Sequence, residues 1–371
     1  MADSSKIAIV IHSLTGGGSE HAAAMMASHW AAEGHAVTII TLDKKYNDTI
    51  ALHKDVHRIG LNRVAESTGI IAAIFHNVPR ICALRQVLDD IRPTRVISLT
   101  DRMNVLTILG CRGVAPKPIV AERTDPRYHR IGGIWNILRR WTYPRAKAIV
   151  VQTEAVREHV QSFAKRCPVL VIPNAVSIDD EAEGKPAFQL DQNCKWICAV
   201  GRLSTEKGFD RLIGGFALIA EKCPDWNLAI VGDGPSRKEL ELQIAGLGLT
   251  DRIQLTGWVE KPWPSLSNAD VFVLPSRYEG FPNALLEAMA RGKACVAVEC
   301  PSGPGEIIRQ GENGLLVDGG NDEEVEAEIG EALYKLLGSE GLRESFGENA
   351  KSVLDVYSVE RHFAAWDAIE G

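Results

Sequence analysis

An alternation of short apolar runs with helix-forming stretches constrains this chain more than any other feature of its sequence. Short apolar runs of this kind are typical of strands buried on both faces of a parallel sheet, joined by crossover helices. They lie at residues 7–11, 37–42, 95–99, 119–121, 148–151 and 169–172, and again at 196–200, 228–231, 270–274 and 294–298. The pattern predicts an α/β chain with parallel sheets, whose ligand-binding loops follow the carboxyl ends of the strands.

At 371 residues the chain is longer than a domain with a single hydrophobic core usually is, so we expect two domains. Hydrophobic residues make up 45% and charged residues 24%, which excludes a disordered chain and fits a soluble globular one. A polar stretch over residues 177–194, rich in Asp, Glu and Gly, has the composition of a hinge. We therefore predict one domain at 1–173, a second at 174–357 and a closing amphipathic segment at 358–371.

The two halves of the chain carry opposite charge. Residues 1–173 contain 23 Lys and Arg against 14 Asp and Glu, a net charge of +9. The rest contains 41 − 23 = 18 basic against 48 − 14 = 34 acidic residues, a net charge of −16. This asymmetry predicts two surfaces with different partners. Anionic lipid or a phosphorylated acceptor suits the basic half, whereas no nucleic-acid motif accompanies its scattered cations, so we expect no nucleic-acid partner.

The sequence shows no sign of export, membrane insertion or a cysteine metal site. The eight cysteines include no C-x-x-C pair and none at zinc-finger spacing from a histidine, which indicates buried or free thiols. No apolar core of a signal peptide follows the first residues, MADSSK. The longest apolar runs fall far short of the ~20 residues that span a bilayer. We expect a cytoplasmic protein, with contact at the inner face of a membrane as an alternative left open.

The stretch at residues 275–292, PSRYEGFPNALLEAMARG, carries the first candidate site. A strand delivers a Gly-containing loop to the start of a helix, where free N–H groups and the helix dipole favour an anion. Glu279 lies in that loop and Glu287 about one and a half turns into the helix. Both carboxylates are suited to accept hydrogen bonds from hydroxyls. Phosphate at the helix start with sugar hydroxyls on the two carboxylates is the hypothesis, and a solvated helix face is the alternative.

A second strand-to-helix junction carries two cations at residues 201–208, GRLSTEKG. Arg202 and Lys207 follow directly after a buried strand, at the edge where parallel sheets bind ligands. Two fixed cations can neutralise charge that develops on a departing diphosphate. An ordinary pair of surface cations is the alternative.

Three loops of the first half end in candidate binding residues. The Gly-rich turn with Gly17 and Gly18 follows the first strand and lets backbone approach an anion, but no complete dinucleotide fingerprint or P-loop is present. Asp101 follows the strand at 95–99. Arg123 follows the strand at 119–121 in the string ERTDP, where it can hold a phosphate or pair with a neighbouring carboxylate.

Residues 127–147 are basic and aromatic. Interfacial segments use this mixture, with aromatics at headgroup depth and cations on anionic lipid. A surface helix that packs one Trp inward is the alternative. The closing segment at 358–371 is amphipathic, with Phe363 and Trp366 on its apolar side.

The string EGFPNALLEAMARG at 279–292 resembles the E-x7-E signature of retaining GT-B glycosyltransferases of family 4. GRLSTEKG at 201–208, PNA at 173–175 and GPGE at 303–306 resemble further strings of that family in the same order. The resemblance implies GT-B architecture, with two Rossmann-like domains facing a cleft and a last helix that packs back on the first domain. It also implies a nucleotide diphosphate sugar as donor.

The roles of individual residues follow from this resemblance. Glu279 would contact the transferred sugar and Glu287 the ribose, while Arg202 and Lys207 would hold the diphosphate. The remaining donor-binding positions that the resemblance assigns are Gly17, Gly18, Gly201, Gly232, Trp258, Gly280, Phe281, Asn283, Ala284 and Leu285. Asp101 and Arg123 fall on the acceptor side. No D-x-D string occurs, so we expect a metal-independent enzyme without a cofactor, in which the nucleotide sugar is a co-substrate.

The resemblance further implies retention of anomeric configuration, with the leaving phosphate helping to deprotonate the acceptor. We expect a UDP-linked sugar and a hydroxyl of a glycan or lipid-linked acceptor in cell-envelope polysaccharide synthesis. The alternatives are a nucleotide-sugar epimerase or hydrolase of the same fold and a non-catalytic sugar-nucleotide binding protein. A dinucleotide dehydrogenase would need the glycine fingerprint that the chain lacks.

Overall fold

The computed structural model describes residues 4–44, 47–63, 70–129, 131–178 and 185–369, with the side chains of 70–76 left out. The chain divides between Pro173 and Asn174 into two compact units. Part of the predicted hinge, residues 179–184, lies outside the described residues.

The first unit is built on a parallel sheet with the strand order β3-β2-β1-β4-β5-β6-β7 in the part of the chain that is described. Its strands are β1 (Lys6–Ile11), β2 (Ala36–Thr41), β3 (His57–Gly60), β4 (Arg95–Leu99), β5 (Ile119–Ala121), β6 (Ala148–Val151) and β7 (Val169–Val171). Its helices are α1 (Gly18–Ala32), α2 (Ile70–Ile91), α3 (Asp101–Cys111), α4 (Gly133–Thr142) and α5 (Glu154–Phe163).

The second unit has a parallel sheet with the strand order β10-β9-β8-β11-β12-β13, again among described residues. Its strands are β8 (Lys195–Val200), β9 (Trp226–Val231), β10 (Ile253–Gly257), β11 (Ala269–Leu274), β12 (Ala294–Val298) and β13 (Leu315–Val317). Its helices are α6 (Phe209–Ala217), α7 (Arg237–Gly246), α8 (Asn283–Ala290), α9 (Pro304–Ile307), α10 (Asp322–Leu337), α11 (Glu340–Ala350), α12 (Val353–Val356) and α13 (Val359–Asp367).

The apolar runs form the strands because both faces of each sheet are covered. Ile9 and Ile39 of the first sheet and Ile197 and Phe272 of the second are fully buried. One hydrophobic cluster packs on each face of the second sheet: α6 and α10 line one, and α8 lines the other. The predicted α/β class with two Rossmann-like parallel sheets is confirmed.

Some element bounds differ from the sequence prediction. The helix α2 spans Ile70–Ile91 and continues through Pro79. The strand β3 was not predicted, because His57 and Arg58 interrupt its apolar character. In α13, Phe363 and Trp366 are buried as the amphipathic pattern predicted. Its packing against the first unit stays a prediction.

Candidate functional site

In each sheet the chain order reverses at one pair of neighbouring strands, β1 and β4 in the first and β8 and β11 in the second. Loops that leave such a pair at their carboxyl ends turn away from each other and open a crevice, where α/β sheets bind ligands. In the second unit these loops are Gly201–Gly208 and Pro275–Pro282, which contain the predicted Lys207 and Glu279. The topology therefore places both sequence motifs at one ligand-binding edge.

Lys207 and Glu279 are in direct contact. The Lys207 ammonium donates to both carboxylate oxygens of Glu279, at 2.7 Å and 2.9 Å. The Ser276 hydroxyl donates to Oε1 of the same carboxylate at 2.7 Å. Glu279 is only 7% exposed, and the hydroxyl of Ser302 donates to its backbone oxygen. The buried carboxylate thus fixes the partly exposed Lys207 ammonium at the sheet edge.

The turn that carries Lys207 is locked to the loop that carries Glu279. Gly208 adopts φ +65°, and a Cβ there would lie 2.1 Å from the backbone oxygen of Pro275. The Arg277 amide donates to the backbone oxygen of Glu206, and its guanidinium binds Asp210 and Asp322. These bonds raise the pKa of Arg277, chiefly through Asp210. These contacts of Arg277 were not predicted, since nothing local in the sequence joins these residues.

Arg202 shares its turn with two closely packed glycines. A Cβ on Gly232 would lie 1.9 Å from the backbone oxygen of Gly201, so only glycine permits this approach. Arg202 is exposed, and its guanidinium makes no hydrogen bond or ion pair with the described residues. Its charge is therefore available to a ligand at the same edge that Lys207 occupies.

Glu287 lies on α8 and has a different partner. The Trp263 indole Nε1 donates to its Oε2 at 2.7 Å. Burial raises the pKa of Glu287, and the Trp263 bond works in the opposite direction. The partner Trp263 was not predicted, because it lies 24 positions upstream in a short 3₁₀ helix, Trp263–Leu266.

The other predicted donor-binding residues of the second unit divide into packing and accessible positions. Phe281 and Leu285 are buried in the hydrophobic cluster beneath α8, and Ala284 packs at its edge. The Asn283 side chain accepts a hydrogen bond from Asn174 at 2.5 Å, which ties α8 to the start of the unit. Gly280 is half-buried and Trp258 is 65% exposed. The Trp258 ring is therefore accessible to a ligand.

In the first unit the Gly-rich turn forms the start of α1. Gly17 is the N-cap residue and Gly18 the first helical residue. The Glu20 carboxylate accepts from the Gly17 amide at 2.5 Å and also bonds the Ser13 hydroxyl. Glu20 therefore occupies an amide that the sequence analysis left for an anion. The donor-binding role of Gly17 and Gly18 stays a prediction.

Asp101 is the first residue of α3 and contacts a histidine that the sequence analysis missed. Nε2 of His129 lies 3.3 Å from Oδ2 of Asp101, and the Arg139 guanidinium lies 3.8 Å away. Burial works to raise the pKa of Asp101, but the bond from His129 and the charge of Arg139 outweigh it, so the pKa is lowered. The same hydrogen bond raises the pKa of His129.

The ERTDP string is largely buried. Glu122 accepts from the Tyr143 hydroxyl at 2.7 Å and lies 3.5 Å from Arg139, while Asp125 pairs with Arg127. Burial raises the pKa of Glu122 to about 7. Arg123 is 7% exposed, and burial lowers its pKa to about 10. The phosphate-binding role of Arg123 stays a prediction.

The predicted basic and aromatic segment contains α4, which has two distinct faces. Trp135 and Leu138 pack inward on the hydrophobic clusters of the first unit. Ile134, Ile137 and Trp141, at helical spacing, are 39%, 68% and 47% exposed. The helix thus packs one Trp inward, as the surface-helix alternative predicted, and presents an apolar stripe outward.

Within the described residues, no group of three or more His, Cys, Asp or Glu side chains could hold a metal ion. The described helices also include none that is long and apolar enough to cross a membrane. The described chain thus has two Rossmann-like parallel sheets, and the second carries a lysine and a glutamate in contact at its switch point.

The comparison with known proteins identifies the family. Residues 16–180 match Glycosyltransferase Family 4 and residues 180–353 match Glycosyl transferases group 1. The chain belongs to the group 1 GT-B glycosyltransferases, as the sequence motifs predicted.

Individual relatives support the assignment. An N-acetyl-D-galactosaminyltransferase of Campylobacter jejuni, named for a diphospho-undecaprenol-linked acceptor, is 25% identical over 97% of both chains. An exopolysaccharide phosphotransferase of Streptomyces coelicolor is 32% identical over 78% of this chain, a match that covers 31% of that longer protein. The structure of HepE from Anabaena in complex with UDP and glucose has a TM-score of 0.78 at 19% identity, over 98% of each chain.

Proposed function

We propose that this glycosyltransferase moves a sugar from a UDP-linked donor to a hydroxyl of a glycan or lipid-linked acceptor, with retention of anomeric configuration. The observation that carries the proposal is the Lys207–Glu279 ion pair at the switch point of the second sheet. An ammonium and a carboxylate fixed at that edge can bind the two chemically different parts of a sugar diphosphate.

The donor diphosphate is neutralised by protein cations in this mechanism. Lys207 and the exposed Arg202 bind the phosphates, and their charge stabilises the diphosphate as it departs. The N-terminus of α8 adds a positive dipole end directly after the Glu279 loop. We propose that no metal ion takes part, because two cations and a helix N-terminus supply the positive charge.

Glu279 and Glu287 act on hydroxyl groups of the donor. When the diphosphate binds Lys207, the Glu279 carboxylate is free to accept from hydroxyls of the transferred sugar. Glu287, on α8 beyond the loop, accepts from the ribose. The departing phosphate takes the proton of the acceptor hydroxyl, so that no side chain need serve as the general base.

The choice of a UDP donor and a lipid-linked or polysaccharide acceptor rests on the relatives. The HepE structure contains UDP and glucose, and the C. jejuni relative is named for an acceptor on diphospho-undecaprenol. The basic first unit, with its net charge of +9 over residues 1–173, suits a phosphorylated acceptor.

We also propose that the first unit contacts an anionic membrane surface on the cytoplasmic side through α4. Its outward stripe of Ile134, Ile137 and Trp141 is accompanied by two exposed cations, Arg140 and Arg145. The Arg145 guanidinium lies 4.2 Å from the centroid of the Trp141 ring. Aromatic rings with adjacent cations suit the headgroup region of anionic bilayers. Such contact would bring the enzyme to a lipid-linked acceptor.

A panel of sugar nucleotides tests the proposed donor. We expect UDP and UDP-sugars to raise the melting temperature and GDP-mannose to leave it unchanged, because ligand binding stabilises the folded state. Lys207→Met, which keeps the aliphatic stem, should reduce kcat about 100-fold or more, as expected for a lost electrostatic contact to the leaving group. Lys238→Met, at an exposed position of α7, is the matched control.

The outcomes separate the alternatives. A rise in melting temperature with GDP-mannose alone would mean that the donor nucleotide is GDP and not UDP. No response to any sugar nucleotide would contradict the proposal. Release of free sugar without an acceptor product would indicate a hydrolase, and conversion of the donor sugar would indicate an epimerase. The anomeric configuration of the product, measured by NMR coupling constants, tests retention.

A further inference from the structure

Trp263 makes a contact that the donor-binding motif does not explain. It begins the 3₁₀ helix Trp263–Leu266, between β10 and β11. Its indole N–H donates to Glu287 Oε2 at 2.7 Å, across 24 positions of sequence. This is a long-range bond to the second Glu of the E-x7-E signature.

The indole ring is held in place from several sides. Trp263 is 6% exposed, and its ring lies 6.0 Å from that of Phe272, centroid to centroid. The Arg291 guanidinium lies 4.9 Å from the Trp263 ring centroid. Arg291 also donates to the backbone oxygen of Glu287 at 3.1 Å. A ring fixed in this way directs its N–H along one line, so the carboxylate that accepts the bond is fixed as well.

The bond distinguishes the two carboxylate oxygens of Glu287. Oε2 is occupied by the indole, and among the described residues no side chain bonds Oε1. An indole N–H is only a donor, so its bond lowers the pKa of Glu287, although burial is the larger influence and raises it. The contact therefore favours an ionised carboxylate with one oxygen fixed and the other presented to a ligand.

We propose that Trp263 is a positioning residue that holds Glu287 for a ribose hydroxyl and so makes the site selective for ribonucleotides over deoxyribonucleotides. This inference rests on the proposed function, in which Glu287 binds the ribose. Sites that hydrogen-bond a hydroxyl reject analogues that lack it, because the buried polar group is then left unpaired. The selectivity depends on the carboxylate being held in one orientation before the ligand arrives.

Binding of UDP and of its 2′-deoxy and 3′-deoxy analogues, measured by calorimetry, tests the proposal. We expect the unmodified enzyme to bind UDP at least 10-fold more tightly than one of the two analogues. Trp263→Phe keeps an aromatic ring but removes the donor. It should weaken UDP about 10-fold, leave the weaker analogue unchanged within about 2-fold, and so abolish the discrimination.

A double-mutant cycle with Glu287→Ala separates positioning from general packing. If Trp263 acts through Glu287, Trp263→Phe should have almost no further effect on UDP affinity in the Glu287→Ala background. An equal loss in both backgrounds would overturn the proposal. Trp263→His retains a ring N–H and is expected to restore part of the discrimination, provided that thermal unfolding shows a folded protein.

Kinetics add a second readout. Trp263→Phe should raise KM for the sugar nucleotide with kcat unchanged within about 2-fold. The KM effect should grow at lower pH, because loss of the indole donor raises the pKa of Glu287 further. If the unmodified enzyme does not bind UDP at all, the proposed function fails rather than this inference. Clear discrimination that survives Trp263→Phe would overturn the inference alone.

Discussion

A buried carboxylate is costly unless its charge is balanced, and three glutamates in this protein balance it in different ways. Glu279 accepts from an ammonium and a hydroxyl, those of Lys207 and Ser276. Glu287 accepts from one indole N–H. Glu122 accepts from the Tyr143 hydroxyl and lies 3.5 Å from a guanidinium. Burial outweighs these contacts at Glu122, which raises its pKa to about 7.

Glu122→Gln is expected to change the pH dependence of stability. Because the folded pKa lies above the ordinary value of 4.5, the contribution of Glu122 is fully present below about pH 4.5. It is lost as the pH rises through 7. Gln cannot titrate, so the free energy of unfolding of the variant, relative to the unmodified protein, should increase by roughly 2–3 kcal/mol between pH 4.5 and pH 8. Urea unfolding at several pH values measures this difference.

Glu331→Gln is the control, since it makes the same substitution at an exposed position of α10. A difference for Glu122→Gln that runs in the opposite direction would mean that Arg139 keeps Glu122 ionised in the folded protein.

At this scale the sequence predicted the residues of the motifs but few of their partners. Lys207 and Glu279 were placed at one site from their strings, and the structure brings them together. Trp263, His129 and Arg277 were not predicted. Their contacts join positions that are distant in the chain, and a single sequence carries no signal for a side-chain bond of that kind.

Among the elements, the loops at the second switch point depend on glycine as well as on side-chain contacts. Gly208 ends the short Thr205–Lys207 helix in a left-handed conformation and lets it pass close to the Pro275 carbonyl. Gly232 lets the β9 loop pass equally close to Gly201. Close backbone packing at these two glycines therefore adds to the side-chain bonds of Lys207 and Arg277 in holding the loops together.

Gly208→Ala should destabilise the protein and reduce its activity. The φ of +65° costs an L-residue roughly 1–2 kcal/mol, and the added Cβ, 2.1 Å from the Pro275 oxygen, forces the Lys207 turn away from the Glu279 loop. We expect a loss of at least about 2 kcal/mol in the free energy of unfolding, together with a fall in kcat.

Chemical unfolding and steady-state kinetics measure the two effects. Gly246→Ala is the matched control, because a Cβ at that helical position would meet nothing within 4 Å. It should be neutral or slightly stabilising. Unchanged stability and activity in Gly208→Ala would mean that the two loops can separate without consequence.

The elements themselves were predictable to the extent that they are apolar and local. Buried parallel strands must be apolar on both faces, so the runs at residues 7–11 and 270–274 identified β1 and β11 directly. The strand β3 lies at the sheet edge and is only partly buried, which removes that signal. The helix α2 runs through Pro79, although a proline inside a helix usually ends or kinks it.

For the whole molecule, the separation of charge between the two halves affects which half can contact an anionic membrane. Residues 1–173 carry a net charge of +9, whereas the remainder carries −16. The first unit also carries the apolar stripe of α4. Contact with an anionic bilayer through the acidic second unit would be opposed by electrostatic repulsion. Charge alone therefore favours contact through the basic first unit.

Flotation with lipid vesicles tests that contact. We expect binding to vesicles that contain phosphatidylglycerol, little binding to phosphatidylcholine alone, and release at 1 M salt because the attraction is screened. Replacing Ile137 and Trp141 together by Ser should lower the bound fraction about 5-fold, because it removes the apolar part of the contact.

Leu242→Ser is the matched control, since Leu242 is similarly exposed, at 66%, but lies on α7 of the acidic unit. Equal binding by Leu242→Ser and the double variant, or equal binding to neutral and anionic vesicles, would contradict a role for α4.

The ion pair between Lys207 and Glu279 has a consequence for turnover. Because the ammonium is already partnered before a donor arrives, a diphosphate that binds Lys207 as proposed would compete with Glu279 for its N–H groups. After transfer, the Glu279 carboxylate would in turn compete with the spent nucleotide for the ammonium and so favour its release.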